Sequence, residues 1–462
     1  MFDKQVYINR RKKLKEIMGS GILFFPGNTD SPFNYPANIY NFRQDSSFLY
    51  FFGLDKPDLA AIIDADTGED YIFGNDFDMD DIIWMGPQKL IKESAEDVGV
   101  KNTGSIKDLN ELISIATSKS QRIHILPQYR STIINRMADQ MGVNHNEVCK
   151  HVSTELIKAV ESLRSVKDKY EIQEIEKAVD TAYKMHTTSM KMAMPGILEQ
   201  KIVGKIEGIA ISNGGPVSFP VILSMNGETL HNHKHNNILK TGKMMVTDAG
   251  CETSMHYASD ITRTVPVGGK FNQRQKEIYE IVLKANLEVI ENCKPNVFYK
   301  DMHLLAAKII ATGLKELGIM KGNVEDAVQQ GAHALFMPHG LGHMMGLDVH
   351  DMEGFGEDYI GYDHEIQRSE QFGLAFLRLA KRLKKGYVLK DEPGIYFIPA
   401  LIDLWKKENK FTDFINYDKV ESYKDFGGIR IEDDLLITDN GCKVLGKPIP
   451  KTVEEIEETM KK

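Results

Sequence analysis

His339 to Asp351 reads HGLGHMMGLDVHD. Three histidines and two aspartates stand there among Gly340, Gly342 and Gly346, a density of potential ligands and pliant backbone that structure alone seldom requires. As a helix the segment would bring His339 and His343 onto one face, the spacing of H-E-x-x-H zinc sites. No glutamate lies between the two histidines, and the glycines disfavour a helix. A strand with a tight turn fits better. A glycine-rich connection whose histidines cap turns is the plain alternative, so the rest of the chain has to decide.

With 462 residues the chain exceeds one typical core, and two or more domains are expected. Its net charge is −9, and Arg10 to Lys13 (RRKK) is too short a basic stretch for phosphate binding, which argues against nucleic acid as the main partner. Cys149, Cys251, Cys293 and Cys442 lie far apart and form no C-x-x-C pair, so neither a disulfide framework nor a thiolate zinc site is signalled. The N-terminal MFDKQVYINRRKKLKEIMG lacks an uninterrupted apolar core, and no run of about eighteen apolar residues occurs. A cytosolic protein without a membrane span is expected.

The first part alternates short apolar runs with helix-like stretches. Gly21 to Gly27, Phe48 to Leu54, Ala60 to Asp64, Tyr71 to Phe73 and Arg122 to Leu126 read as strands, and Lys107 to Lys119 as a helix. Asp66-Thr67-Gly68 reads as a hairpin turn. Together they imply a mixed α/β domain. A long amphipathic helix then starts near Lys167, with Ile172, Ile175, Val179, Ala182 and His186 at spacings of three and four, and Pro195-Gly196 stops it. His186, alone on that apolar face, reads as a core residue. Two further helices are expected over 273–292 and 300–317. The domain boundary falls near 155–165, giving domains 1–158 and 159–462.

Acidic residues punctuate the second part at apolar strands. MMVTDAG (Met244 to Gly250) carries Asp248, SDITRTVPV (Ser259 to Val267) carries Asp260, and a hairpin between them puts both on one side of a sheet. In GGIRIEDDLLIT (Gly427 to Thr438) strand alternation points Arg430 and Glu432 to one face, with Ile429 and Ile431 on the other. DEPGIYF (Asp391 to Phe397) sets Glu392 where Pro393-Gly394 breaks a strand. Each acid alone could be a solvated surface group. Val246, Ile261, Ile429, Ile431 and Leu435 mark interior strands instead, where an unpaired carboxylate is costly unless a cation compensates it. Four carboxylates and one histidine form a hard, oxygen-rich set that suits two divalent cations such as Mn²⁺.

The order of motifs resembles the pita-bread metallopeptidases that act on proline-containing N-termini, the Xaa-Pro aminopeptidases and Xaa-Pro dipeptidases. It runs through RQDSSFLYFFG, Leu230-His231, DAG, SDIT, MPHGLGH, DVHD, EPGIYF and GGIRIEDD, nearly the whole chain. The resemblance implies an aminopeptidase P-like mixed α/β N-terminal domain followed by a pita-bread, methionine-aminopeptidase-like α+β catalytic domain. It implies that Asp248 chelates one divalent metal, that Asp260 and Glu432 bridge two, and that His343 and Glu392 complete the second; Mn²⁺ is expected, with Co²⁺ or Zn²⁺ as alternatives. His231, His339 and His350 match histidines lining the site, His231 and His350 at the substrate or its reacting carbonyl, and Arg430 matches a substrate-site arginine. Glu392 would move the proton, and His339 and His350 would handle substrate charge, with the glycines permitting close backbone approach. The loop from Asp248 to Asp260 looks one residue longer than usual, and Asp391 replaces an apolar residue. His233, His235 and His256 read as solvated loop residues.

The substrate implied is a peptide with proline second, acted on by a homodimer or larger homo-oligomer, without nucleic acid or membrane. In LRLAKRLKKGYVLKDEPG, Arg378 falls where dipeptidases resemble one another in having an arginine for the free carboxylate of a C-terminal proline, and 397–427 and KTVEEIEETM look dipeptidase-like. These favour cleavage of Xaa-Pro dipeptides; release of the first residue from longer peptides is the alternative, and a solvated helical face is the plain reading of Arg378. A metal-free pita-bread binding module or a creatinase-like enzyme is the third class, disfavoured because all five ligand positions are retained.

Overall fold

The structure, a computed structural model, describes residues 1–461. The chain separates into two compact units, Met1–Arg164 with Met352–Tyr359, and Ser165–Asp351 with the chain from Ile360 onward.

The first unit is built on a mixed five-stranded sheet. Its strands are β1 (Ile22–Pro26), β4 (Ala60–Asp64), β5 (Asp70–Phe73), β6 (Asn102–Gly104) and β7 (Ile123–Ile125), in the order β6-β5-β4-β1-β7; β2 (Pro32–Tyr35) and β3 (Asn38–Ile39) form a separate hairpin. β1 pairs antiparallel with β4 and parallel with β7. Ile22, Phe24, Ile62 and Ile125 pack against Leu109 and Ile113 of the helix Ile106–Ser118 and Ile133 and Met137 of Ser131–Met141. Asp64 to Gly68 turns β4 into β5, the Gly68 amide bonding to the Asp64 carbonyl at 2.9 Å with φ +82°. Half of the RRKK stretch is buried: Arg11 Nε donates to Asp70 Oδ2 at 2.9 Å, and Arg10 Nη1 to the Tyr50 carbonyl at 3.1 Å.

One expectation fails in this unit. The aromatic run expected as a strand is the helix Ser46–Phe52. Asp45 caps it by accepting from the Phe48 amide at 2.9 Å. Gly53 ends it in a left-handed conformation at φ +63°, where any Cβ would run into the Tyr7 ring. All seven residues of the helix are buried, so no polar face was left to reveal the helical period.

The second unit gathers three small sheets between helices. β8 (Ile222–Ser224), β9 (Met244–Ala249) and β10 (Ile261–Pro266) form an antiparallel sheet with β9 central. β11 (Val388–Asp391) pairs antiparallel with β14 (Asp433–Ile437), which pairs with β15 (Cys442–Val444). β12 (Gly394–Tyr396) pairs with β13 (Gly428–Arg430). A bridge between Thr262 and Glu432 couples β10 to the β13–β14 segment. The helices Lys169–Met192, Gln273–Asn292 and Tyr299–Glu316 agree with the sequence reading, and His186 donates to or accepts from no site residue: its Nε2 lies 2.9 Å from the Ala249 carbonyl. Among the described residues no helix is long and apolar enough to cross a membrane.

Candidate metal and substrate site

The stretch His339 to Asp351 is not a regular strand. It runs extended along β11, with His343 O accepting from the Lys390 amide (3.0 Å), Leu341 O from Glu392 (2.9 Å) and Met345 N–H donating to Val388 O (3.0 Å). Gly342 lies so close that a Cβ there would penetrate the Lys390 carbonyl. Close approach is therefore between two stretches of protein backbone, which aims His343 inward from one side while β11 delivers Glu392 from the other.

The hairpin β9–β10 pairs Thr262 with Asp248, and Asp260 immediately precedes β10. Glu432 occupies the break between β13 and β14. Asp260, His343 and Glu432 consequently each offer a ligand atom within 4.8 Å of the others, His343 Nε2 standing 3.6 Å from Asp260 Oδ2. Asp248 and Glu392 line the same cavity, a space of about 720 Å³. His231, His339, His350, Arg378 and Arg430 line it too, so every site residue expected from sequence faces one space.

Hydrogen bonds tie the wall together. Arg430 donates from Nη2 to Asp248 Oδ2 (2.6 Å), from Nη1 to the Tyr396 hydroxyl (2.9 Å) and from Nε to Thr262 Oγ1 (3.0 Å). Thr262 in turn donates to Glu432 Oε2 at 2.6 Å. His339 Nε2 sits 3.0 Å from the Tyr396 hydroxyl and Nδ1 2.8 Å from the Gly340 carbonyl. The His343 and His350 rings are 4.0 Å apart. Lys167 and Asp351, both buried, form a 2.7 Å ion pair that anchors the end of the segment bearing His350.

Burial dominates the electrostatics. It pushes Asp248 and Glu392 well above the ordinary carboxylate range, with the charge of Glu432 adding to it, and Asp260 up to about 6. Glu432 goes the other way: burial would raise it, but Lys390, Arg430 and the Thr262 hydroxyl hold it low. Burial lowers His339 and His343 to about 4, leaving neutral imidazoles at physiological pH. Clustered carboxylates that resist ionisation are carboxylates short of positive charge. Among the described residues Asp248 Oδ1 is buried without a hydrogen-bond partner. An orphaned oxygen, carboxylates crowded together and one neutral imidazole fit hard divalent cations.

Of the three histidines read as solvated loop residues, His233 is exposed and His235 half-exposed on a loop, as expected, and His256 departs. His256 is buried, at φ +65°, and its Nδ1 pairs with Glu252 Oε2 at 2.6 Å rather than standing in solvent. His235 Nδ1 contacts the Leu223 carbonyl at 3.0 Å, and His233 lines the cavity. Arg378 is half-buried and lies beyond the short turn Leu374–Phe376, not on a helix. Sequence reasoning passed over Thr262, Tyr396, Lys390 and Asp434. Spacing could have found Asp434, two residues beyond Glu432 on the same strand face, whereas Tyr396 gave no signal beyond its place in EPGIYF.

The second of the two units thus holds a buried carboxylate and histidine centre that could hold a metal ion. The chain belongs to metallopeptidase family M24, whose model matches residues 173–439, and the aminopeptidase P N-terminal domain matches residues 7–125. It is 31% identical to the Xaa-Pro dipeptidase of Homo sapiens over 99% of this chain and 92% of that protein. It is 33% identical to the "Probable Xaa-Pro aminopeptidase pepP" of Aspergillus clavatus over 90% and 88%. Aminopeptidase P from E. coli with the inhibitor Pro-Leu superposes with a TM-score of 0.80 at 26% identity, covering 99% of this chain and 98% of that one. The fold is that of aminopeptidase P, with the M24 pita-bread domain C-terminal.

Proposed function

We propose that the protein hydrolyses the bond between a first residue and a following proline, using Asp248, Asp260, His343, Glu392 and Glu432 to hold two divalent cations, Mn²⁺ foremost. The convergence of Asp260, His343 and Glu432 in the wall of a cavity of about 720 Å³ carries this reading, and the M24 relatives named for Xaa-Pro substrates support it. Bound cations would supply an activated water and polarisation of the scissile carbonyl.

The remaining chemistry falls to the chain. The bond before proline is a tertiary amide without an N–H, and like any amide nitrogen the proline nitrogen leaves as an amine only once protonated. Glu392, facing the cavity at the strand break, takes the proton from water and delivers it to that nitrogen. His350 donates to the carbonyl oxygen as charge develops on it, and His231 and His339 position the peptide. Arg430 fixes Asp248. Phe219, Ile222, Phe372 and Leu401 give the cavity apolar walls that accept the proline ring and the first side chain.

Arg378, at the cavity wall, favours dipeptides by pairing with the free proline carboxylate. Longer peptides are the second reading, favoured by the fold match to aminopeptidase P. A panel of Xaa-Pro and Xaa-Pro-Yaa peptides with added Mn²⁺, scored by product length, separates them; an Arg378→Ala enzyme that keeps a dipeptide preference discredits the anchor. A cytosolic location agrees with four free thiols among the described residues. Self-association is proposed through the first unit, where Met79, Ile83 and Trp84 stand in solvent, Trp84 at 85% exposure. Sedimentation at several concentrations tests it, a monomer throughout counting against it.

A further inference from the structure

Strand β11 lays a lysine beside the ligand set. Residues two apart on a strand share a face, so Lys390 points the same way as Glu392, while Asp391 between them turns to the Asn286 amide (2.9 Å) on the helix Gln273–Asn292. Lys390 is wholly buried. Its Nζ lies 2.6 Å from Asp434 Oδ1 and 3.4 Å from Glu432 Oε1. Asp434 is its direct cross-strand partner on β14, and the other Asp434 oxygen accepts the amide of Asp260 at 3.3 Å. The lysine backbone is fixed as well, its N–H donating to the His343 carbonyl and its own carbonyl accepting from the Tyr299 hydroxyl. One ammonium is thus held against carboxylates that also face or support the cluster of Asp260, His343 and Glu432.

We propose that Lys390 is a resident counter-cation of the metal site: its ammonium shares Glu432 with any bound divalent cation, weakening metal affinity while keeping the carboxylates assembled when no metal is present. The inference rests on the assignment of Asp248, Asp260, His343, Glu392 and Glu432 as metal ligands. Ionised, those four carboxylates with Asp434 carry five negative charges, of which Lys390 and Arg430 return two. The buried ammonium repels a second cation at the same carboxylate, in a setting where water screens little. In the metal-free chain the same ammonium offsets like-charge repulsion between Glu432, Asp434 and Asp260.

Two variants of the full-length chain test this. Lys390→Gln removes the charge and retains a donor toward Asp434; Lys390→Arg retains the charge. Mn²⁺ titrated calorimetrically into metal-free protein should bind K390Q at least about tenfold more tightly than wild type, a difference of about 1.4 kcal/mol, with K390R unchanged or weaker. Metal-free K390Q should also melt at a lower temperature than metal-free wild type. If K390Q does not hold its fold without metal, the Mn²⁺-loaded proteins are compared by the EDTA concentration that strips half the metal, and K390Q should require more. Equal or weaker binding by K390Q overturns the role of Lys390 and leaves the metal assignment standing. A wild-type chain that takes up no divalent cation overturns both.

Discussion

Glu392 reaches the cavity where Pro393 ends the ladder right after it, the position that the proposed proton transfer requires. Glu392→Gln should lower kcat by at least about 10²-fold with the circular dichroism spectrum unchanged; full turnover by a metal-loaded variant would sink the role. Elsewhere in the second unit His303 and His333 are wholly buried, 6.2 Å apart, and among the described residues none of their ring nitrogens has a hydrogen-bond partner. Unsatisfied polar atoms of this kind cost about 1–3 kcal/mol each. His303→Leu is therefore expected to raise the urea midpoint, and a lowered midpoint would count against a net cost of the unpartnered nitrogens. At this scale the sequence was readable where a residue belonged to a motif, as with His343, Asp248 or Glu432. It was silent where the partner came from a distant strand, as with Thr262 under Arg430 and Glu432, because hydrogen bonds across sheets leave no spacing to read.

Alternation along β11 and β14 builds two polar layers back to back. Lys390, Glu392 and Asp434 face the site, whereas Asp391 and Asp433 face a rear network in which Arg263 Nη2 and Lys451 Nζ each lie 2.7 Å from an Asp433 oxygen. Breaking a buried pair strands the surviving charge, so Asp433→Ala should cost about 3–5 kcal/mol, read from denaturant melts. Burial would raise Asp433, but Arg263 and Lys451 hold it far below the carboxylate range, which fits an ionised group whose removal is felt. Gly342→Ala drives a methyl into β11, and overpacking of that kind costs about 1–3 kcal/mol; since the displaced strand carries Glu392, metal retention should fall with it. Strands backed by alternating polar and apolar residues, such as β9, β10 and β13, were legible from pattern. Ser46–Phe52 was not, because burial on every side erases periodicity and leaves only β-favouring aromatics.

Across the molecule, burial shifts two populations in opposite directions, and acid weakens the fold through one and metal binding through the other. His186, His303, His333, His339 and His343 are held by burial at about 3 to 4, below their unfolded value of about 6.5. Their contribution to stability is complete above pH 6.5 and is lost as pH falls toward 4, so the melting temperature should drop through that window. Asp260, raised to about 6, must give up its proton to bind a cation. Mn²⁺ affinity should accordingly fall as pH decreases through 6, measured by chelator competition at pH 5, 6 and 7.5; an unchanged affinity would remove Asp260 from the ligand set. Loading should stabilise the fold by about 2.7 kcal/mol at a free metal concentration a hundred times Kd, visible as a concentration-dependent melting temperature. The proposed ligands come from the β9–β10 hairpin, the extended segment before Asp351, the end of β11 and the gap between β13 and β14. An ion gripping all four acts as a reversible cross-link between stretches far apart in sequence, and shrinks the conformational freedom of the chain as a set of disulfides would. Metal supply thereby becomes a control on lifetime: the loaded chain should outlast the stripped one under protease even in the absence of substrate.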